Sequence, residues 1–407
     1  MGHRLQFANR SFQFLATGAL IAWAELSFNG IAAQTSLPVG TPPAIVSNRA
    51  EVEEVPAAWQ ADGRLVAFRK RLLLAQPSSR DTGWLDVLVA QGAAQFGLKL
   101  RDESLLRWAT AWADFHLAVP LGTVVRSGGG FQGIRLDDAC ANWGAPFVLG
   151  PLYLKQQNRA YLAAIRGIAD HILDNSPRAP DCTITHAKGW GIWVDSLYYT
   201  ASPLAHAFEA TGDKRYAEEA VRQCLLHAKH LRDEKTGLFH HDKNLSNGQR
   251  TPGYWGRGNG WMIMSLVDTL RLVPQETEGY GEVLSIYRSQ AEGLLKFQHE
   301  SGMWRMVPEE PSAPLETSGT TMILFGLAAG INEGWISESN EGSVRRGFKE
   351  LVTWINPQGQ LMGSQGVAGC GGWETHKLSP IGESAYTTGV FFKLMAEMNQ
   401  GKLGRTP

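Results

Sequence analysis

An all-α fold, an (α/α)6 barrel of six helical hairpins, is what this 407-residue sequence predicts, on three observations. Six segments are apolar and rich in Gly, Ala, Ser and Thr. Between them lie charged segments whose apolar positions recur at steps of three and four, the period of an amphipathic helix. Short stretches bordering the charged segments also echo one another: Thr236-Gly237-Leu238-Phe239, Ser301-Gly302-Met303-Trp304 and Gln358-Gly359-Gln360-Leu361. Repetition at roughly 50–65 residues per hairpin builds either an open solenoid or a closed ring. Closure fits better, because one helix of every pair is nearly free of charge. Six inner helices inside six outer ones bury that set on every side.

In chain order, Met1–Ala24 carries Arg4 and Arg10, the apolar run Phe12–Ile21 and then Ala22-Trp23-Ala24, the pattern of a secretory signal peptide. Export to the periplasm or beyond is expected. The run is too short to act as a stable membrane anchor. Ala32-Ala33 offers a second cleavage site. Residues 25–60 read as a linker, with Pro38, Pro42, Pro43 and the acidic patch Glu51–Glu54, and residues 61–401 as the barrel. The inner segments are Gly83–Leu100, Ala139–Gln156, Trp193–Gly212, Trp255–Val273, Thr317–Gly334 and Glu383–Gln400. The outer ones are Arg101–Leu117, Asn158–Leu173, Asp213–Leu231, Gly279–Phe297 and Ser337–Ile355. Gly63–Leu74 supplies the twelfth helix, as the outer partner of the first inner segment.

Composition excludes some partners. Lys and Arg total 38 against 39 Asp and Glu, leaving no basic surplus for nucleic acid. Cys140, Cys182, Cys224 and Cys370 are widely spaced, without a CxxC pair or metal-ligand spacing, so zinc is not expected. Two of them pairing in an exported protein competes with all four acting as small buried apolar groups, and structural roles are favoured. Fourteen Trp residues suit both a core and a surface on which sugar rings stack.

In such a ring the segments preceding the inner helices converge on one funnel. There lie Asp137 and Asp138, Trp193-Val194-Asp195, His241, the run Trp255-Gly256-Arg257-Gly258-Asn259-Gly260-Trp261, Glu316 and Glu383. Carboxylates, a guanidinium, His and Trp faces suit a sugar that carries an acid group. Asp195 stands alone on an uncharged helix, where a carboxylate needs partners or keeps its proton. A helix cap is the competing account, and it competes more strongly for Asp137 and Asp138. A carboxylate from that pair beside Asp195 raises one of the two pKa values, as general-acid chemistry requires. Gly256, Gly258 and Gly260 weaken a helix by about 1 kcal/mol each relative to Ala. They are expected to let a ligand approach the backbone, with Arg257 forking a carboxylate. His206, His227 and His230 fall within helices and are expected to be structural.

The tryptophan-glycine run, with Trp193-Val194-Asp195-Ser196-Leu197-Tyr198, Thr236-Gly237-Leu238-Phe239-His240-His241 and Glu316-Thr317-Ser318-Gly319-Thr320, resembles glycoside hydrolase family 105 from about Gly83 to Met398. The family comprises unsaturated rhamnogalacturonyl hydrolases and related unsaturated glucuronyl hydrolases on an (α/α)6 barrel. The resemblance implies an unsaturated oligosaccharide substrate and removal of its terminal 4,5-unsaturated uronic acid. C4 is protonated, water adds at C5, and no metal or organic cofactor takes part. It implies Asp195 as general acid/base and Asp138 as the flanking acid. The implied substrate-binding set is Asp137, His186, Lys188, Trp193, His241, Trp255, Arg257, Asn259 and Trp261. After the two acids the sequence Ala139-Cys140-Ala141-Asn142-Trp143 departs from the family pattern, which leaves Asp137 and Asp138 both open as the second acid. A conventional glycosidase or a polysaccharide lyase on the same barrel, or a non-catalytic sugar-binding protein, remain the competing functions.

Overall fold

Each charge-poor segment forms one helix: Val87–Leu100, Pro146–Gln156, Val194–Thr211, Gly256–Leu272, Thr317–Glu333 and Ala385–Met398. The charged segments form Gly63–Leu74, Glu103–Leu117, Arg159–Asn175, Lys214–Leu231, Tyr280–Lys296 and Glu341–Thr353. The computed structural model describes residues 57–127 and 130–405. The expected signal segment and the linker up to residue 56 lie outside the described residues. Polar side chains start the outer helices by accepting the unpaired N–H groups of the first turn: Asp102 from Leu105, Asn158 from Ala160 and Asp213 from Arg215. Gly212 and Gly334, at φ 70° and 76°, end two inner ones.

Every inner helix packs on the next, and the sixth packs on the first, so the ring is closed. Small residues make the closure possible: a Cβ at Gly92 would stand 2.1 Å from the Gly389 carbonyl oxygen, and one at Gly389 would stand 2.0 Å from that of Leu88. Burial follows the charge pattern. All residues from Gly256 to Leu270 are buried on the fourth inner helix, whereas the outer helices bury only one stripe.

The three echoing stretches are one turn used three times. After each outer helix the chain reverses through a glycine of positive φ: Gly237 at 76°, Gly302 at 92° and Gly359 at 76°. In each, the glycine presses on the backbone of the following outer helix, at Ser289, Gly347 and Ala67. The third contact falls on Gly63–Leu74. That helix also packs Phe68 against Phe391 and Phe392, 4.9 Å between ring centroids in both cases. It therefore completes the sixth hairpin rather than the first. The linker is shorter than expected too: Ala57–Gln60 is helical, and Trp59 is fully buried, with its indole N–H bonded to Asp102 at 3.1 Å.

Short two-stranded ladders, unseen in the sequence, lead into three of the inner helices. Ile192–Trp193 pairs with Asp242–Lys243, Leu315–Glu316 with Trp304–Arg305, and Ile381–Gly382 with Ser364–Gln365. They tie the loops around the N-terminal ends of the inner helices, where the site forms.

Candidate active site

Asp195 is the second residue of the Val194–Thr211 helix, and the strand Ile192–Trp193 runs directly into it. Its side chain is 16% exposed, open enough to meet a ligand. Oδ2 has no hydrogen-bond partner among the described residues. Burial lifts its pKa to about 6; the Arg257 charge opposes the rise, and the Asp242 charge adds to it.

His241 follows the turn at Gly237 and is held by the bond from Val194 N–H to its carbonyl, 3.0 Å. Its Nε2 lies 3.7 Å from Asp195 Oδ2. The ring is 1% exposed, packed against Trp255 at 4.2 Å and stacked on His376 at 5.4 Å. Burial, then the His376 and Arg257 charges, push its pKa well below the usual histidine value, so the imidazole is neutral. Trp193 separates His241 from His186, stacking on the latter at 4.3 Å. Burial takes His186 down to about 4. Its Nδ1 lies 3.3 Å from Ser196 Oγ, which fixes it beside the Val194–Thr211 helix.

Arg257 and Trp261 are four residues apart and share one face of the Gly256–Leu272 helix. The guanidinium lies over the Trp255 ring, 4.5 Å from its centroid, and is 1% exposed. Nη1 donates to the Gln365 carbonyl at 2.5 Å and the Tyr386 hydroxyl at 2.6 Å, and Nη2 to the Gly366 carbonyl at 2.9 Å. Both terminal nitrogens are thus engaged by the protein, while Nε lacks a partner among the described residues. Trp255 donates its indole N–H to Gln365 Oε1 at 2.7 Å. Trp261 is fully buried under Tyr198 and Tyr199, and its Nε1 is unpaired among the described residues.

Several expected residues are elsewhere. Asn259, two residues from Arg257, points to the opposite side of its helix: it accepts from Phe239 N–H at 2.9 Å and donates to the Phe239 and Trp255 carbonyls. It anchors the turn that delivers His241 and does not face a ligand. The glycines of the run serve packing, since Cβ atoms on Gly256, Gly258 and Gly260 would meet Arg305, Trp255 and Met322 at 2.6–2.8 Å. Asp137 is an exposed turn residue, bonded to Ala139 N–H at 3.1 Å and to Asn142 at 2.9 Å. Asp138 is exposed, and its carboxyl has no hydrogen bond among the described residues; Lys188 is likewise exposed. The like charge that adds most to the rise at Asp195 is that of Asp242 rather than either acid of that pair. Glu316 is fully buried and caps the fifth inner helix through Ser318 and Gly319 N–H, both at 2.6 Å.

Other residues join the site unforeseen. Asp242, opposite Trp193 in the ladder, is lifted by burial to about 6. Tyr386 and Gln365 hold Arg257, and His376 stacks on Trp255 at 5.1 Å. Trp84 is partly exposed and stacks on Tyr386 at 5.6 Å. Position at the head of an inner segment was signal enough for Trp84 and Tyr386; the others depend on loops meeting across the ring. Asp195, His241, Arg257, Trp261 and His376 each leave a buried polar atom unpaired among the described residues. Such a concentration marks a place built for a polar ligand.

Comparison with known proteins gives the same frame. A family model described as Glycosyl Hydrolase Family 88 matches residues 69–401. Over 218 residues the chain is 28% identical to an unsaturated 3S-rhamnoglycuronyl hydrolase of Alteromonas sp. (strain LOR), covering 51% of this chain and 50% of that protein. Over 175 residues it is 25% identical to the unsaturated rhamnogalacturonyl hydrolase YesR of Bacillus subtilis (strain 168), covering 41% and 51%. The match spans about half the length of these curated relatives. Among solved structures, a family 105 glycoside hydrolase from C. acetobutylicum ATCC 824 superposes with a TM-score of 0.71 at 22% identity, over 82% of this chain and 98% of that one, a likeness of fold.

Proposed function

This chain belongs to glycosyl hydrolase family 88, and from that premise we propose that it removes the terminal 4,5-unsaturated uronic acid from oligosaccharides left by polysaccharide lyases. The observation that carries the reading is Asp195, a reachable carboxyl lifted to about 6 beside a neutral His241. A group of that kind holds a proton near neutral pH and still gives it up. Asp195 delivers its proton to C4 of the substrate's double bond. Water adds at C5 and returns a proton to Asp195, and the resulting hemiketal opens, releasing the sugar as a keto acid and freeing the remaining oligosaccharide. The anomeric carbon is never attacked. The curated relatives' names share the rhamno- part and differ in the 3S mark and the uronyl part, so the class of substrate is proposed and not its exact sugars. The basic, apolar and A-x-A pattern of Met1–Ala24 supports action outside the cytoplasm, which fractionation of producing cells checks.

Heavy water tests the reaction. Turnover of lyase-treated pectin, glycosaminoglycan or ulvan fragments is expected to remove the ultraviolet absorbance of the enoate and to place deuterium at C4. A released sugar with its double bond intact and no deuterium identifies an ordinary glycosidase. A gain in absorbance identifies a lyase.

A further inference from the structure

We infer that Asp242 is a further carboxyl of the site: a positioning residue whose negative charge keeps Asp195 in its acid form. The chemistry of this inference rests on the proposed function, whereas its test does not.

Asp242 is the ladder partner of Trp193, and directly opposed residues of an antiparallel pair project to the same face with Cβ atoms about 4.5–5.5 Å apart. Trp193 is the extended residue that opens the Asp195 helix. The ladder therefore fixes Asp242 beside the first turn that carries Asp195. The backbone ties the two acids together: Val194, just before Asp195, donates its N–H to the carbonyl of His241, just before Asp242, at 3.0 Å, and His241 Nε2 lies 3.7 Å from Asp195 Oδ2. Asp137, by contrast, is held in its own turn by Asn142 and Ala139.

The groups facing Asp195 come from several elements: Arg257 from the fourth inner helix, Asp242 from its strand, His241 from the residue before that strand, Cys140 from a short helical turn, Cys370 from a loop, and Tyr199 from its own helix. Burial keeps both thiols and the phenol protonated and His241 neutral. Arg257 favours the carboxylate form of Asp195, and Asp242 is the anion that opposes it. Two half-buried carboxyls, each lifted to about 6, share protons as a pair rather than titrating singly.

Carboxyl-labelled aspartate allows each group to be titrated by carbon-13 NMR without substrate, Asp195→Asn identifying the Asp195 resonance. In the wild-type protein that resonance is expected to titrate near 6, with a second inflection at the Asp242 midpoint. In Asp242→Asn its midpoint falls by about half a pH unit or more. Asp242→Glu keeps it high, and Asp138→Asn leaves it in place. An Asp195 midpoint lowered by Asp138→Asn and not by Asp242→Asn overturns the inference. So does a single inflection in the wild-type protein, which needs no Asp242 variant to fold. If the titration behaves as expected while folded wild-type protein turns over no unsaturated oligosaccharide, the proposed function fails and the pairing stands.

Discussion

His241 Nε2 approaches Asp195 Oδ2 to 3.7 Å, yet the two do not form an ion pair. Burial holds the imidazole well below its ordinary pKa, the neighbouring His376 and Arg257 deepen the effect, and the same burial lifts the carboxyl. Just below about 6 both groups are uncharged. The imidazole is thus a polar neighbour that places the carboxyl, and it takes no proton from it near neutral pH.

Asp195→Asn follows from that arrangement. The amide is nearly isosteric but delivers no proton, and general acid–base groups contribute about 10²–10⁴-fold. Turnover of unsaturated oligosaccharides is expected to fall by at least that much with the circular dichroism spectrum unchanged. Activity within a few-fold of wild type removes Asp195 from the mechanism.

The same substitution is expected to stabilise the fold. Below about 4 the carboxyl is protonated in folded and unfolded chains alike; above about 6 it is charged in both, and only the folded chain bears the charge buried. Stability present at low pH is therefore lost as pH rises through about 6, by up to about 3 kcal/mol. Denaturant melts of Asp195→Asn and wild type should coincide near pH 4 and separate in favour of Asn at pH 7. Activity should decline over the same rise, with no separate limb from His241.

Arg257→Lys keeps the charge and loses the planar fork that binds the Gln365 and Gly366 carbonyls and the Tyr386 hydroxyl. The loop carrying Gln365 then loses its registration against Trp255. A drop in kcat/KM of about 10–100-fold is expected, together with a lower Tm. A variant equal to wild type in both would mean that this network positions nothing.

Asn259→Ala separates anchoring from binding. The amide secures Phe239 by two main-chain bonds, at 2.9 and 3.0 Å, and is fully buried. Its loss is expected to lower stability by about 2–4 kcal/mol. A raised KM at unchanged stability would instead return Asn259 to the substrate.

Trp84→Ala removes a partly exposed ring stacked on Tyr386 while leaving the Trp84 carbonyl to accept from Tyr199. If the ring receives a sugar face, KM rises about 3–10-fold with kcat nearly constant. Unchanged steady-state kinetics would confine Trp84 to packing.

The ring was legible because charge distribution is a local property: a segment without charge either lies inside or does not fold. Asp195, Trp255 and Trp261 were legible from the same pattern, as polar or aromatic residues at inner-helix starts. Asn259 was misjudged through proximity in sequence. Two residues along a helix is roughly 200° around it, so a partner of Arg257 had to sit at 261 rather than 259. Asp242, Gln365 and His376 stayed hidden because their places depend on pairings between distant loops, such as residues 192–193 with 242–243, which no window of sequence contains. The missing outer helix was assigned to the wrong hairpin for a similar reason, its partner lying at the far end of the chain.

The contact of Gly92 with Gly389 imposes an order on folding. Val87–Leu100 is among the first helices synthesised, but the surface it needs on one flank belongs to Ala385–Met398, among the last. While the intervening hairpins emerge and pack in sequence, that flank stays bare, an exposed apolar strip of the kind that draws chaperones or aggregates. The nascent ring is an open arc with two sticky ends, and closing it is a long-range, entropically slow event. The inner helix made first is completed last.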